Sequence, residues 1–203
     1  MKAWKITSVL LIGAIATVIV SAWHEVRRGF STRSEPSVIE TFLARTARNM
    51  ALPSEYQKLQ NPFPMSLENL RAGMEHFADH CAICHANDGR GDTLFGKNLY
   101  AKPPDMRTAE TQRKSDGELY YTIQNGIRLS GMPAFGEDHG TADADTWKLV
   151  LFIRHLPQLT NDQLKEMEAL NPKTDDERRE ENEEQNFLRG KDPGTTSKKF
   201  HHH

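Results

Sequence analysis

The apolar positions of the chain fall into one long unbroken run and several shorter periodic groups. The run extends from Ile6 to Trp23 without a charge and follows a short basic stretch. A helix needs about 20 residues to cross a bilayer, so the run is only just long enough. A cleaved signal peptide is the alternative, because residues 20–22 (Val-Ser-Ala) are small enough for cleavage. The tryptophans Trp4 and Trp23 at its ends favour a retained transmembrane anchor over residues 1–23.

Residues 24–65 are expected to form a connecting region that contains one amphipathic helix. The helix begins after Pro36 and ends before Pro53. Its apolar positions share one helical face: Val38, Ile39, Phe42, Leu43, Ala47 and Met50. This face either packs on the rest of the protein, which is the simpler expectation, or lies on a membrane surface.

Residues 66–159 are expected to form a compact domain of the all-α class, because strand signals are few. Three helices are predicted: one from Leu67 after the cap Ser66, one from Glu118 to Gly126, and one from Asp143 or Asp145 to Pro157. The stretch 86–104 is rich in Gly, Asn, Asp and Pro and predicts loops. Such a domain buries little core alone, which indicates that a large apolar cofactor supplies the rest.

Residues 160–203 are expected to form a charged, disordered tail after one short helix marked by Leu164, Met167 and Leu170. The terminal histidines 201–203 receive no function, since a purification tag explains them equally well. A formal net charge of −2 argues against a nucleic-acid partner held by a basic surface. With two cysteines in the chain, a four-thiolate zinc site is excluded.

The two cysteines belong to a Cys-x-x-Cys-His motif formed by Cys81, Cys84 and His85. This spacing is typical of covalent haem attachment, in which both thiols bond to one edge of the macrocycle and the histidine ligates iron. A thioredoxin-like pair would need a βαβ context, which is absent. A zinc site would need further ligands; His76 and His80 are near, but exposed helix histidines are more often solvated. We therefore predict one covalently bound haem c.

Met132 is the candidate for the sixth iron ligand, because it lies in a loop bounded by glycine and proline where packing explains a methionine poorly. His139, in a similar loop, is the weaker alternative. Ligation by His and Met raises the reduction potential and closes the iron to substrate, which favours electron transfer over catalysis. Pro103 or Pro104 would place a carbonyl near the second ring nitrogen of His85, although a plain loop turn explains them equally well.

Further short motifs surround the haem motif in a fixed order: Gly73 and Phe77 before it, then 88–91, 102–106, 116–120, 125–126, 131–135 and the helix 147–156. Over about Leu67 to Leu156 the chain resembles a class I cytochrome c domain, and is most similar to the membrane-anchored bacterial domains of oxidase and dehydrogenase subunits. The resemblance implies a small helical fold wrapped around one haem c, with His85 proximal, Met132 distal and the carbonyl of Pro103 or Pro104 near His85.

These expectations converge on an electron carrier rather than an enzyme. It is tethered to the bacterial inner membrane by a single pass, and its haem domain faces the periplasm. The expected partners are redox proteins of a respiratory chain. The alternatives are a haem subunit of a larger oxidase or dehydrogenase complex, or a haem peroxidase or gas sensor with a displaceable sixth ligand.

Overall fold

The structure is a computed structural model that describes residues 2–29, 31–136 and 140–190. His139 and the terminal histidines 201–203 lie outside the described residues. Every regular element within the described ranges is helical, and no strand occurs in them. The predicted all-α fold is therefore confirmed.

The helices follow one another along the chain, with connections that range from two residues to 18. In the described residues they are α1 (Lys2–Arg28), α2 (Val38–Ala51), α3 (Ser54–Gln57), α4 (Leu67–His76), α5 (Ala82–His85), α6 (Leu94–Lys97), α7 (Ala109–Gln112), α8 (Asp116–Asn125), α9 (Ala144–His155), α10 (Asn161–Leu170) and α11 (Asp175–Leu188). A π-helical turn, Phe77–Cys81, joins α4 to α5, and a 3₁₀ turn, Leu156–Gln158, follows α9.

Side-chain caps fix where the three predicted helices of the domain begin. Ser66 accepts a hydrogen bond from the backbone N–H of Asn69 at 3.2 Å and caps α4, as predicted. Helix α8 begins at Asp116, two residues earlier than predicted, because Ser115 and Glu118 form a reciprocal capping box. Asp143 rather than Asp145 caps α9 and accepts from two backbone N–H groups in its first turn.

The core forms where α4 crosses α9. A side chain at Gly73 would place its Cβ 2.2 Å from the carbonyl oxygen of Lys148, so the two backbones approach at a distance that only glycine permits. Next to this crossing, the rings of Phe77 and Phe152 lie 5.1 Å apart, and both side chains are fully buried. The domain is therefore organised by the contact between its first and last predicted helices.

The end of the expected connecting region packs on this core. The ring of Tyr56 in α3 contacts Tyr121 edge-on at 4.9 Å, and the Tyr56 carbonyl occupies the space that a side chain at Gly117 would need. Asn61 donates to the carbonyl of Trp147 at 2.7 Å. Residues 54–63 thus belong to the packed domain, whereas α2 buries no residue, contrary to the simpler expectation for its apolar face.

The segment expected to be a tail contains two helices. Helix α10 coincides with the predicted short helix, and its Met167 is fully buried in the core. Arg71 of α4 also pairs with Glu166 of α10 at 2.8 Å. Helix α11 buries no residue and is stabilised from within by a capping box of Thr174 and Glu177. The packed part of the chain therefore extends beyond residue 159.

At the other end of the chain, α1 contains a span, Trp4–His24, that is long and apolar enough to cross a membrane. Within the described part of the chain, none of the most apolar window of this span is buried. A signal sequence near an N-terminus meets the same criteria of length and composition. The helix therefore supports either a membrane anchor or a signal segment and does not distinguish between these two interpretations.

Candidate haem site

The cysteine motif lies on a helical turn that follows directly from the core helix α4. The π-helical turn is closed by the N–H of Ala82 bonding to the carbonyl of Phe77, and α5 then carries Cys84 and His85. Residues three apart on a helix share a face, so Cys81 and Cys84 lie on one side of this turn. Both are free thiols. The motif is thus presented by a helical turn rather than by a mobile loop.

The chemistry of the two thiols separates the haem interpretation from a thiol redox pair. Burial, together with the smaller effect of the neighbouring Cys84, raises the pKa of Cys81 to about 12. Burial also raises the pKa of Cys84. Catalytic cysteines of the thioredoxin type need a lowered pKa, because the thiolate is the nucleophile. The two thiols are therefore unsuited to thiol–disulfide exchange and remain protonated at neutral pH.

His85 is held as a neutral imidazole inside the domain. Burial lowers its pKa to about 4. Its ring lies 6.4 Å from the ring of Phe77, a central core residue. The Nδ1 atom is buried and has no hydrogen-bond partner among the described residues. Buried polar atoms are rarely left unpaired, so the protein alone does not satisfy this ring, and a neutral imidazole is the form that ligates iron.

The loop after the motif is fastened to it by several short contacts. The hydroxyl of Thr93 donates to the carbonyl of Ile83 at 2.8 Å, and the N–H of Gly91 donates to the carbonyl of His85 at 2.7 Å. A Cβ at Gly96 would lie 2.4 Å from the carbonyl oxygen of Cys84. Sequence reasoning missed Thr93 and Gly96 as site residues. The available signal was a threonine placed to cap the short helix α6.

Pro103 and Pro104 lie in the next loop, on the side of the domain where His85 is held. The carbonyl oxygen of Pro103 is 2.8 Å from the position that a Cβ at Gly91 would take, so Pro103 lies beside the loop that follows His85. Pro104 is exposed. Neither carbonyl accepts a hydrogen bond from His85, whose Nδ1 has no partner in the described part of the chain. The expected carbonyl contact therefore stays a prediction.

Met132 lies in a loop that folds back onto the end of α8. Its carbonyl accepts from the N–H of Ile127 at 3.1 Å, and its own N–H donates to the hydroxyl of Ser130 at 3.1 Å. Gly126 has a φ of +64°, and a Cβ there would lie 2.7 Å from the Met132 carbonyl oxygen. The backbone around Met132 is thus fixed by local bonds and by one glycine contact.

A second glycine brings the Met132 loop against the loops that follow the motif. A Cβ at Gly131 would lie 2.5 Å from Cδ2 of Leu99. Leu99 in turn bonds through its N–H to Gly96, the residue packed on the Cys84 carbonyl. A continuous series of contacts therefore links the predicted sixth ligand to the motif that carries the predicted fifth ligand.

Large apolar side chains around these two segments are exposed. The exposed fraction lies between 56% and 93% for four of them: Ile83, Leu94, Phe95 and Leu129. Ile83 lies between the cysteines, the next two begin α6, and Leu129 lies in the Met132 loop. These exposed apolar side chains, two partly buried thiols and an imidazole whose Nδ1 is unpaired among the described residues together fit a flat apolar cofactor that covers them. The residues present therefore fit a haem.

His76 and His80 form a separate pair on the other side of the motif. Their rings lie 4.7 Å apart, and Nδ1 of His80 pairs with Asp79 at 2.8 Å. Burial and the nearby His80 lower the pKa of His76. Within the described ranges, no group of three or more His, Cys, Asp or Glu side chains is arranged to hold a metal ion. The pair therefore adds no ligands to the cysteine motif.

Comparison with protein families matches the same part of the chain. Residues 68–153 match the family described as cytochrome c oxidase, cbb3-type, subunit III. No curated protein sequence matches the chain. The matched range begins in α4, includes the cysteine motif and the Met132 loop, and ends in α9. A domain of this kind implies haem c and haem-based electron transfer. Residues 68–153 are therefore similar to the cytochrome c domain of subunit III of cbb3-type oxidase.

Proposed function

We propose that this protein transfers electrons through one haem c, held by thioether bonds to Cys81 and Cys84 and ligated by His85 and Met132. The observation that carries the proposal is the motif turn, where two protonated thiols lie next to a buried, neutral imidazole whose Nδ1 has no hydrogen-bond partner in the described residues. The bound haem supplies one-electron exchange between two oxidation states of iron.

The residues of the chain hold and shield that site. Burial of His85 against Phe77 keeps the imidazole neutral, so no proton competes with iron for its ring nitrogen at neutral pH. Hydrogen bonds from Ile127 and to Ser130 hold the backbone of Met132, which limits exchange of this ligand for water or substrate. With haem bound, the carbonyl of Pro103 or Pro104 would orient His85 by accepting a hydrogen bond from its second ring nitrogen.

The arrangement favours electron transfer over catalysis. A peroxidase or gas sensor needs an open sixth position and polar groups above the iron. The Met132 loop instead offers a thioether, and the same loop carries the exposed apolar side chain of Leu129. If His85 and Met132 both held the haem, no coordination site would be left for a substrate, and the group would supply electron exchange through short-lived protein contacts, which typically bury small interfaces.

The chain is proposed to be tethered to the bacterial inner membrane with the haem domain in the periplasm. Helix α1 supports this, since its 27 residues span about 40 Å at 1.5 Å per residue, longer than a hydrocarbon core of about 30 Å. The proposed partners are redox proteins of a respiratory chain. The description of the matching family as an oxidase subunit supports a second proposal, that the chain acts as a haem subunit within a larger complex.

A redox titration of the purified full-length protein tests the proposed function. We expect a reversible one-electron transition at the elevated potential typical of His/Met ligation, and no turnover of hydrogen peroxide. Rapid peroxide turnover would contradict the assignment as a carrier. Gentle solubilisation of native membranes, followed by separation of intact complexes, then distinguishes a free carrier from an oxidase subunit.

A further inference from the structure

Helix α2 carries an apolar face that no part of the described protein covers. Five large side chains on this face are between 59% and 86% exposed: Val38, Ile39, Phe42, Leu43 and Met50. The helix is well defined at its start, where the hydroxyl of Ser37 accepts from the N–H of Glu40 at 3.2 Å. A regular amphipathic helix with its whole apolar face in water is unfavourable, so this face requires an occupant.

The haem domain does not cover the apolar face, because its contacts with α2 are made by polar side chains on the other side of the helix. Arg45 pairs with Glu110 of α7 at 2.9 Å, and Glu40 accepts a hydrogen bond from the hydroxyl of Tyr100. Just before the helix, Glu35 pairs with Lys102. Successive residues of a helix are rotated by about 100° around its axis. Viewed along the axis of α2, the direction midway between Glu40 and Arg45 therefore points about 180° away from the centre of the apolar face. Polar contacts to the domain therefore turn the apolar face away from it.

The position of α2 in the chain places it close to a membrane. The candidate span ends at His24, and residues 29–37 connect α1 to α2. A connection of this length reaches at most about 30 Å when fully extended. The start of α2 therefore lies within about 30 Å of the end of α1, close to the bilayer surface from which α1 would emerge.

The charges around the apolar face suit a surface of anionic headgroups. Arg27 and Arg33 lie between the span and the helix, and Arg48 lies on the polar side of α2; all three are exposed. Three acidic residues lie in the same stretch, Glu25, Glu35 and Glu40, and the last two contact the haem domain. Arginine at the rim of an apolar helix face is typical of helices that lie in a membrane interface.

We propose that α2 lies in the plane of the membrane surface, with its apolar face in the lipid and its polar face carrying the haem domain. This inference rests on the proposed membrane tether and extends it. One anchor helix fixes the distance of the haem domain from the bilayer, whereas a second contact fixes its orientation. The polar contacts of Glu35, Glu40 and Arg45 transmit that orientation to the loop 100–110, which includes Pro103 and Pro104.

Single-cysteine labelling of the full-length protein tests this placement. Phe42→Cys places an environment-sensitive fluorophore on the apolar face, and Ala44→Cys places it on the exposed polar side of the same helix as the matched control. Both variants are reconstituted in vesicles of phosphatidylethanolamine and phosphatidylglycerol. With Cys81 and Cys84 bonded to haem, each variant takes one fluorophore per chain; additional labels would instead refute the proposed haem attachment.

The two positions are expected to respond in opposite ways. At Phe42→Cys, emission shifts to shorter wavelength, lipids with a quencher near the headgroup reduce it several-fold, and iodide in the water has little effect. At Ala44→Cys, iodide is the effective quencher. Equal iodide quenching at both positions would overturn the proposal, and failure of the full-length chain to float with vesicles would overturn it together with the tether.

A protein occupant gives a different result. The apolar face would then be open to iodide in pure lipid vesicles, yet protected from both iodide and lipid quenchers in native membranes. That outcome would refute the lipid placement and identify the face as a contact with a partner subunit.

Discussion

Replacing Gly126 by alanine is expected to displace the loop that carries Met132. The new Cβ would lie 2.6 Å from the carbonyl carbon of Pro133, whereas ordinary contacts begin near 3.4 Å, so the loop must move by about 0.8 Å. Metal–ligand distances normally stay within about 0.2 Å of their ideal values. A displacement of about 0.8 Å is therefore incompatible with an undisturbed bond from Met132 to iron.

The energetic cost follows from the same contacts. A non-glycine residue at a φ of +64° and the overpacking against the loop each cost about 1–3 kcal/mol. Since about 1.4 kcal/mol corresponds to a factor of ten, even the lower limit weakens methionine ligation several-fold. We expect the oxidised protein to lose part or all of the weak far-red absorption band that thioether–iron ligation gives, and the reduction potential to fall.

Gly140→Ala provides the matched control. Gly140 also has a positive φ, +63°, but a Cβ there meets no atom of the described residues within 4 Å. This variant carries a similar backbone cost without the push on the Met132 loop, so its band and potential should match those of the unmodified protein. If Gly126→Ala behaves like Gly140→Ala in both measurements, the argument that Gly126 positions the ligand loop is refuted.

Three further predictions concern the haem motif, the core and an acid-sensitive cap. Cys84→Ala should sharply reduce haem that stays on the chain in a denaturing gel; an undiminished haem stain would contradict attachment through two thiols. Gly73→Ala places a Cβ 2.2 Å from the Lys148 carbonyl oxygen and should cost about 1–3 kcal/mol, lowering the melting temperature by several degrees; an unchanged melting curve would contradict the α4–α9 crossing. Burial raises the pKa of Asp143, but hydrogen bonds from Thr146 and Gln124 outweigh this and hold it below its usual 3.8. The stabilisation from Asp143 is therefore present above about pH 4 and is lost as the pH falls through the pKa of the folded protein. Asp143→Asn keeps a capping side chain and should reduce the loss of stability at acid pH. If stability falls with pH equally in both proteins, Asp143 does not contribute.

Local signals in the sequence were sufficient for the main helices of the domain. Ser66, Asp143 and Pro157 mark boundaries that the structure reproduces, because caps and breakers act within one or two turns. The π-helical turn before Cys81 carries no comparable signal, since its hydrogen bonds are stabilised by the packing of Phe77 in the core. The same holds for Gly96, whose close approach to Cys84 depends on how a whole loop folds.

Amphipathic patterns proved less informative about what covers an apolar face. Helix α10 has few apolar residues, yet Met167 completes the core, because α10 lies against the turn that follows α4. Helix α2 has a more continuous apolar face, yet nothing in the described protein covers that face. Periodicity indicates that a face exists, whereas its occupant depends on contacts distant in the sequence or outside the chain.

The absorption spectrum of the purified full-length protein, recorded in the oxidised state and then after reduction and addition of carbon monoxide, tests the central claim most directly. We predict a haem that remains on the chain after acid extraction, a far-red band in the oxidised state, and a reduced spectrum that carbon monoxide does not alter. A protein without extraction-resistant haem would contradict attachment through Cys81 and Cys84. A haem that lacks the far-red band and binds carbon monoxide rapidly would contradict Met132 as the sixth ligand, and with it electron transfer as the function.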